Sequence, residues 1–576
     1  MKLLIRDFVA NLRERKELDA IVPDILSALG LTVLTRPSIG PRQYGVDLAA
    51  VGQLDDDPPT LYLFTLKQGD LDRAHWDNGP QSVRASLNEI LDVYIRSNIP
   101  AEFANFPLKI VLCFGGELRE AVLQNWSGYV AEHTSDKLSF TTWNGEKIAN
   151  LILVGVLGPE LLPEEAKRSF QKAVALTDEP DVSFHHFCRV VDRLRQVALD
   201  DPRRGPQIVR TLSIALWVLY VWARENDNIE AAYLSSERSL LTLWDLLKGS
   251  GSDEGQPDPT TGLAFGQVIN LNNAIFADFF ERKVAAHVAV KNALAMAIRS
   301  YSPVDVNLAM FSLVGRLALM IIWKAWALNR AEMDEASEED LVAGRREVYG
   351  LAEQLKSIVL NNQVLFLPVC DEQVTDMGLV LVALISAGDH SQFIRSWLSE
   401  MTKRLWFTAA RRYRFPTSHH EYRRILGNQT EKNSEETFKV ATKGSSIIPV
   451  VAAWIAAFDD IEAASRLSEI ARERLSHCTM QAWLIGPDSE EHLYLNTGNH
   501  GVSLTDLPIT GDGRELLQIL QRAAVDTLSD LDGLTAVKWG FWPIVLQACR
   551  HWRLPVPIQF WIDSSGKPEP SPTEKG

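Results

Sequence analysis

The period of the apolar residues changes near position 160, and that change divides the chain. Before it, short apolar and β-branched runs alternate with stretches whose apolar residues recur at helical spacing. A helical pattern from Asp7 to Leu29 ends at Gly30, a residue suited to the left-handed turn after a helix, and leads into a short β-rich stretch from Leu31 to Thr35. Two strand candidates, Gly45 to Gly52 and Leu61 to Gln68, flank Leu54-Asp-Asp-Asp-Pro-Pro59, a strong turn signal, and so predict a hairpin. A helix from Gln81 to Arg96, a buried strand from Leu108 to Phe114, a helix from Leu118 to His133 and a strand near Leu138 to Thr142 complete the order α-β-β-β-α-β-α-β. After Pro163 strand patterns all but vanish, and helical spacing dominates, as from Phe184 to Ala198, Ile208 to Arg224, Leu263 to Ile298 and Val306 to Asn329. The fold class predicted is an α/β N-terminal domain, a mixed central sheet flanked by helices, followed by a large all-α region.

Length and composition refine this division. At 576 residues the chain exceeds one ordinary core. The predicted parts are a sheet domain over 1–160, a helical domain over 161–250, a helical sensing or oligomerisation region over 263–563 and a disordered tail over 564–576. The Gly-, Ser-, Asp- and Pro-rich stretch Lys248 to Gly262 separates the two helical parts, and a second irregular region runs from Gly486 to Gly513. No fixed repeat period is found. The five cysteines, Cys113, Cys188, Cys370, Cys478 and Cys549, are scattered without a Cys-x-x-Cys pair, which argues against a disulfide framework or a thiolate zinc site and for a reducing, cytoplasmic setting. The N-terminal apolar stretch is broken by Arg6 and Asp7 and reads as an amphipathic helix rather than a leader peptide. The apolar runs Ser213 to Ala223, Met377 to Ala387 and Ile447 to Phe458 are shorter than a bilayer span, and Phe311 to Leu328 carries Arg316 and Lys324. All four are expected to be buried helices, with no membrane partner. A net charge of -16 gives no general attraction to nucleic acid, so any such contact must be local.

The chemistry concentrates in Gly40-Pro-Arg-Gln-Tyr-Gly-Val-Asp-Leu-Ala-Ala-Val-Gly52 and Leu61-Tyr-Leu-Phe-Thr-Leu-Lys-Gln-Gly-Asp70. Side chains alternate along a strand, so Asp47 shares a face with Ala49 and Val51, and Lys67 with Leu63 and Thr65. A turn about Asp56 and Asp57 sets Asp47 opposite Leu66 or Lys67, and a carboxylate and an ammonium group then meet at the open end of the hairpin. Phosphodiester cleavage uses that pair: the carboxylate holds Mg²⁺, and the lysine stabilises negative charge developing on the phosphate. The plainer alternative is a cross-strand ion pair contributing roughly 0.2 to 1 kcal/mol.

With Gly45-Val-Asp47 on one strand and Thr65-Leu-Lys67 ending the next, the chain resembles the PD-(D/E)XK superfamily of restriction-endonuclease-like nucleases, most closely its Mrr-type and phage-defence branches. The element order is similar to that family's core. The resemblance covers about a quarter of the chain. It implies a metal-binding Asp47, a catalytic Lys67, an acidic residue from the first helix for which Glu17 is the candidate, and Mg²⁺ or Mn²⁺ as cofactor. The family's second motif position, normally Glu, Asp or Gln, is Thr65 here, a poor Mg²⁺ ligand. Asp70 and Glu89 are candidate replacements, and Arg42 and Gln68 candidate contacts to nucleic acid. Glu17 lies in the charged run Arg13-Glu-Arg-Lys-Glu-Leu-Asp19, a pattern more often that of a solvated helix face. His75 and Trp76 follow the motif closely, with an exposed loop and core packing as their plainer roles.

A second region, Lys403 to Pro416, interleaves basic and aromatic residues. Arg411, Arg412 and Arg414 are its candidate nucleic-acid contacts; pairing with acidic helices is the alternative. The adjacent pairs His185–His186 and His419–His420 lack a third ligand at metal-site spacing. Phosphate-loop, dinucleotide, zinc-protease and nucleophile-elbow motifs are absent. The expectation is a metal-dependent DNA endonuclease, a phage-defence or restriction effector whose helical part senses, binds a partner protein or forms a homo-oligomer, with RNA as the other possible substrate. A catalytically inactive interaction subunit of a defence complex is the alternative, and a membrane-acting effector a third.

Overall fold

The computed structural model describes residues 2–35, 44–54, 57–79, 82–158, 162–248, 259–300, 302–333 and 336–562. It divides into two compact units, Met1–Ser239 with Asp258–Leu271 and Leu240–Pro257 with Asn272–Gly576. The parts expected at 249–258 and 564–576 lie outside the described residues, as does Arg42.

The first unit is built on a mixed five-stranded sheet whose strands lie side by side in chain order: β1 (Thr32–Thr35), β2 (Leu48–Gly52), β3 (Thr60–Lys67), β4 (Leu108–Phe114) and β5 (Leu138–Trp143). β1 to β3 are antiparallel, whereas β4 joins β3 and β5 joins β4 in parallel. β3 and β4 read as mainly apolar runs because both of their faces are buried, whereas β5, Leu-Ser-Phe-Thr-Thr-Trp, is half-buried along most of its length. On one face Leu61, Leu63, Ile110, Leu112 and Phe114 pack with Val83, Leu87, Val122 and Tyr129 of two covering helices, Val83–Glu89 and Glu120–His133. By alternation Phe64, Leu66 and Cys113, all buried, point to the other face.

The single helix expected from Asp7 to Leu29 is two, α1 (Lys2–Ala10) and α2 (Asp19–Ala28). Arg13 is extended, with φ -73° and ψ 149°, and a π-helical turn, Glu14–Leu18, follows it. Helices α3 (Glu164–Ala175), α4 (Pro180–Asp200) and α5 (Gly205–Glu225) follow the sheet within the same unit. Near the end of α5, Arg224 donates to Glu17 Oε1 at 2.6 Å and to the Asn11 carbonyl at 3.4 Å. The compact unit therefore runs well past the change of period at 160, because the first helices after it pack against the N-terminal segment.

The second unit is mainly helical. Helices Pro303–Met333 and Val374–Ala387 pack together in its core, and Arg553 donates to Asp376 Oδ2 at 2.7 Å. The all-α expectation needs one amendment: Gly444–Ser445 pairs with Thr479–Met480, and Ala482–Leu484 with Val502–Leu504. Runs of two or three residues are too short to leave a periodic signal. Among the described residues, two helices, Pro202–Glu225 and Pro303–Met333, are long and apolar enough to cross a bilayer, and most of each apolar stretch is buried within the protein.

Candidate functional site

β2 and β3 pair from Leu48 opposite Phe64 to Gly52 opposite Thr60. The connection is anchored by Asp57, whose carboxylate accepts from the Tyr62 hydroxyl at 3.0 Å and from the Lys109 ammonium. This register differs from the expected one: it sets Asp47 abreast of Thr65, not Leu66 or Lys67. The Asp47 amide donates to the Phe64 carbonyl at 2.9 Å, and the ladder then stops. In its place the Asp47 carboxylate accepts the Leu66 amide at 2.7 Å, with the Thr65 hydroxyl at 3.5 Å. The side chain thus replaces a backbone acceptor at the strand end, which fixes the carboxylate and leaves its second oxygen for another partner. Gly45 sets the approach to this point. Its φ is +79°, and a Cβ there would lie 2.1 Å from the Ser86 carbonyl oxygen.

Four residues meet electrostatically here. Asp47, Lys67 and Glu14 are half-buried and Thr65 is fully buried. Burial pushes the Asp47 carboxyl above its ordinary value; the Leu66 amide and the Lys67 charge pull it back, and the Glu14 charge raises it again. Asp47 and Lys67 act on each other through space without a direct ion pair among the described residues. The Asp47 charge also reaches the buried thiol of Cys113, which burial itself raises furthest.

Of the other expected residues, Glu17 is neither solvated nor turned to this site: it is 5% exposed, held by Arg224, and accepts the Arg13 amide at 2.9 Å. The acid of that turn whose charge acts on Asp47 is Glu14, three residues earlier. Asp70 ties together the loops that follow β3 and β4, accepting the Glu117 amide at 2.8 Å and the Arg119 guanidinium, and these hydrogen bonds hold its carboxyl below the usual range. Glu89 is half-buried at the end of its helix, on the sheet face opposite Cys113, and Gln68 is exposed just past β3. His75 is exposed and paired with Asp72, while Trp76 is buried edge-on against Trp126 and Tyr129. In the second unit Arg411 lies over the Phe407 ring at 4.8 Å and Arg414 over Tyr413 at 4.8 Å, and Arg412 reaches Glu435 at 3.5 Å. Phe407 is 52% exposed and Trp406 40%.

No family model, curated protein or solved structure matches this chain. What the site does is therefore read from its own chemistry. Among the described residues no group of three His, Cys, Asp or Glu side chains is arranged to hold a metal ion. The Glu14 charge does act on the desolvated Asp47 carboxylate and opposes its ionisation, and a cation relieves that repulsion. Mg²⁺ commonly takes only one or two protein carboxylates, completing its shell with water and substrate phosphate oxygens. The donor set fits such a site and not a closed protein cage.

Proposed function

We propose that the first unit is a metal-dependent endonuclease acting on DNA, with RNA as the alternative substrate. We place the chain in the cytoplasm as a phage-defence or restriction effector, its helical part serving for sensing, partner binding or self-association. The observation that carries this reading is the Asp47 carboxylate, fixed at a strand end by the Leu66 amide with the Glu14 and Lys67 charges acting on it. The order of strands and helices in the sheet, similar to that of PD-(D/E)XK nucleases, supports it.

In this reading Asp47 and Glu14 hold Mg²⁺ or Mn²⁺. A divalent ion bound there supplies an activated water and neutralises phosphate charge. Lys67 binds the scissile phosphate and stabilises the charge that develops on it. Asp47 works only when ionised, so activity falls as pH drops through its elevated pKa. Because the Glu14 charge adds to that elevation, Glu14→Gln is expected to move the acid limb of the pH–rate profile to lower pH while reducing the rate at the plateau. An acid limb that stays in place would show that Glu14 does not act on Asp47. Arg411, over the exposed Phe407 ring, and Arg414, over the half-buried Tyr413 ring, suit contact with phosphates and bases and are proposed as a secondary nucleic-acid surface.

A catalytically silent interaction subunit is the second reading, favoured by Thr65 and by the lack of a third acidic ligand among the described residues. The two part on one experiment. The purified chain is incubated with supercoiled plasmid and with structured RNA, in Mg²⁺, in Mn²⁺ and in chelator. Metal-dependent cleavage is the expected result; intact nucleic acid under every condition supports the silent subunit.

A further inference from the structure

Helices α3 and α4 form an antiparallel hairpin, closed on its inner side by Phe170 against Phe187 and by the Ser183 hydroxyl donating to the Ala173 carbonyl at 2.6 Å. On the outer side of α3, Arg168 and Lys172 stand one turn apart. On α4, His185, Arg189 and Arg193 follow at successive turns, all exposed, with half-buried His186 beside them. Among the described residues, Arg168, Lys172, Arg189 and Arg193 have no ion-pair partner, although nearby acids do pair: Glu164 with Lys167, Asp192 with Arg238 and Asp201 with Arg203. The remaining acids of the hairpin sit at its ends, Glu165 in the first turn of α3, Asp178, Glu179 and Asp181 at the join, and Asp200, which accepts from Gln196, at the end of α4. Lys172 of α3 and Arg189 of α4 both act on His186, so charges from the two helices meet there. His186 is held below the usual histidine value first by burial and then by Lys172, Arg189 and His185, and its Nδ1 is buried without a hydrogen-bond partner.

Cations gathered on one surface repel each other, and in a chain of net charge -16 this cluster is a local exception. Its occupant must supply negative charge at regular intervals. Exposed apolar side chains beside the rows are few, Val182 and Leu199, too little to anchor a lipid-inserting or dry protein interface. Two rows of cations, each spaced by one helical turn, suit a hydrated chain of phosphates. We propose that the α3–α4 hairpin is a docking surface for the phosphate backbone of a nucleic acid, in the same compact unit as Asp47 and Lys67. The choice of nucleic acid as ligand rests on the nuclease reading, while the surface itself rests on the hairpin.

The test is fluorescence anisotropy with a labelled duplex DNA and a duplex RNA of the same sequence, over a range of salt and without divalent metal so that nothing is cut. Arg168→Glu/Arg189→Glu is compared with the parent and with Arg346→Glu/Arg522→Glu, which makes the same change in net charge at exposed positions elsewhere; circular dichroism confirms that all three are folded. The hairpin variant is expected to bind about tenfold more weakly or worse, with a shallower dependence on salt, and the control to behave as the parent. The arm that binds more tightly identifies DNA or RNA. Equal binding by parent and hairpin variant, an equal loss in the control, or no binding of either nucleic acid overturns the proposal. Binding through the hairpin without cleavage in metal would remove the nuclease reading and keep the surface; cleavage with unaltered binding would do the reverse.

Discussion

Lys67→Ala is expected to lower metal-dependent cleavage by about a hundredfold to a thousandfold, the scale on which removal of one group stabilising transition-state charge acts. Lys67 is half-buried, its charge acts on Asp47, and it makes no direct ion pair there among the described residues. Its loss therefore leaves the fold nearly unchanged, with stability within about 1 kcal/mol of the parent. The loss should fall mainly on kcat, since the ammonium group interacts most strongly once charge has built up on the phosphate. Lys67→Arg keeps the charge but replaces a compact ammonium with a planar fork, and should recover only part of the rate. Parent-level cleavage by Lys67→Ala, with circular dichroism unchanged, would remove Lys67 from the site.

Arg224→Met should have the largest effect on stability. The guanidinium and the Glu17 carboxylate are 7% and 6% exposed, 2.6 Å apart, and link residues 207 apart in sequence. Removing the guanidinium leaves the buried Glu17 carboxylate with only the Arg13 amide and an Arg13 side chain 3.7 Å away, a change that costs about 3 kcal/mol, the lower end of the range for breaking a buried pair. For a unit of this size that lowers the melting temperature by on the order of 10 °C. The double replacement Glu17→Gln/Arg224→Met removes both charges and should regain a substantial part of the loss. Calorimetry of the full chain reads both, and a melting temperature unchanged in Arg224→Met would show that the pair contributes nothing. The same pair bears on the site, because it holds the turn that carries Glu14.

What could be read from the sequence follows the reach of each interaction. β3 and β4 were legible as apolar runs because burial on both faces leaves that pattern in consecutive residues. The hairpin register was not, because it depends on Asp57 reaching Tyr62 and Lys109, and a carboxylate that bonds 52 residues away leaves no local mark. Asp47 and Lys67 stood out through their places at strand ends. The choice between Glu14 and Glu17 did not: both lie in one charged run, and which turns toward the sheet is decided by the break at Arg13 and by Arg224. Asp70 looked available, yet the loop after β4 supplies it with an amide and a guanidinium. The paired strands of the second unit leave no signal in the sequence because two or three residues carry no period. The cations of the α3–α4 hairpin are visible in the sequence as charges, but that they have no ion-pair partner among the described residues is a property of the fold.

The most direct test of the account is plasmid cleavage by Asp47→Ala beside the parent, with Mg²⁺ or Mn²⁺ and with chelator, both proteins shown to be folded by circular dichroism. Cleavage by the parent in metal alone, lost when the carboxylate is removed, is the predicted result. Cleavage that survives in Asp47→Ala, or that proceeds equally in chelator, would contradict it.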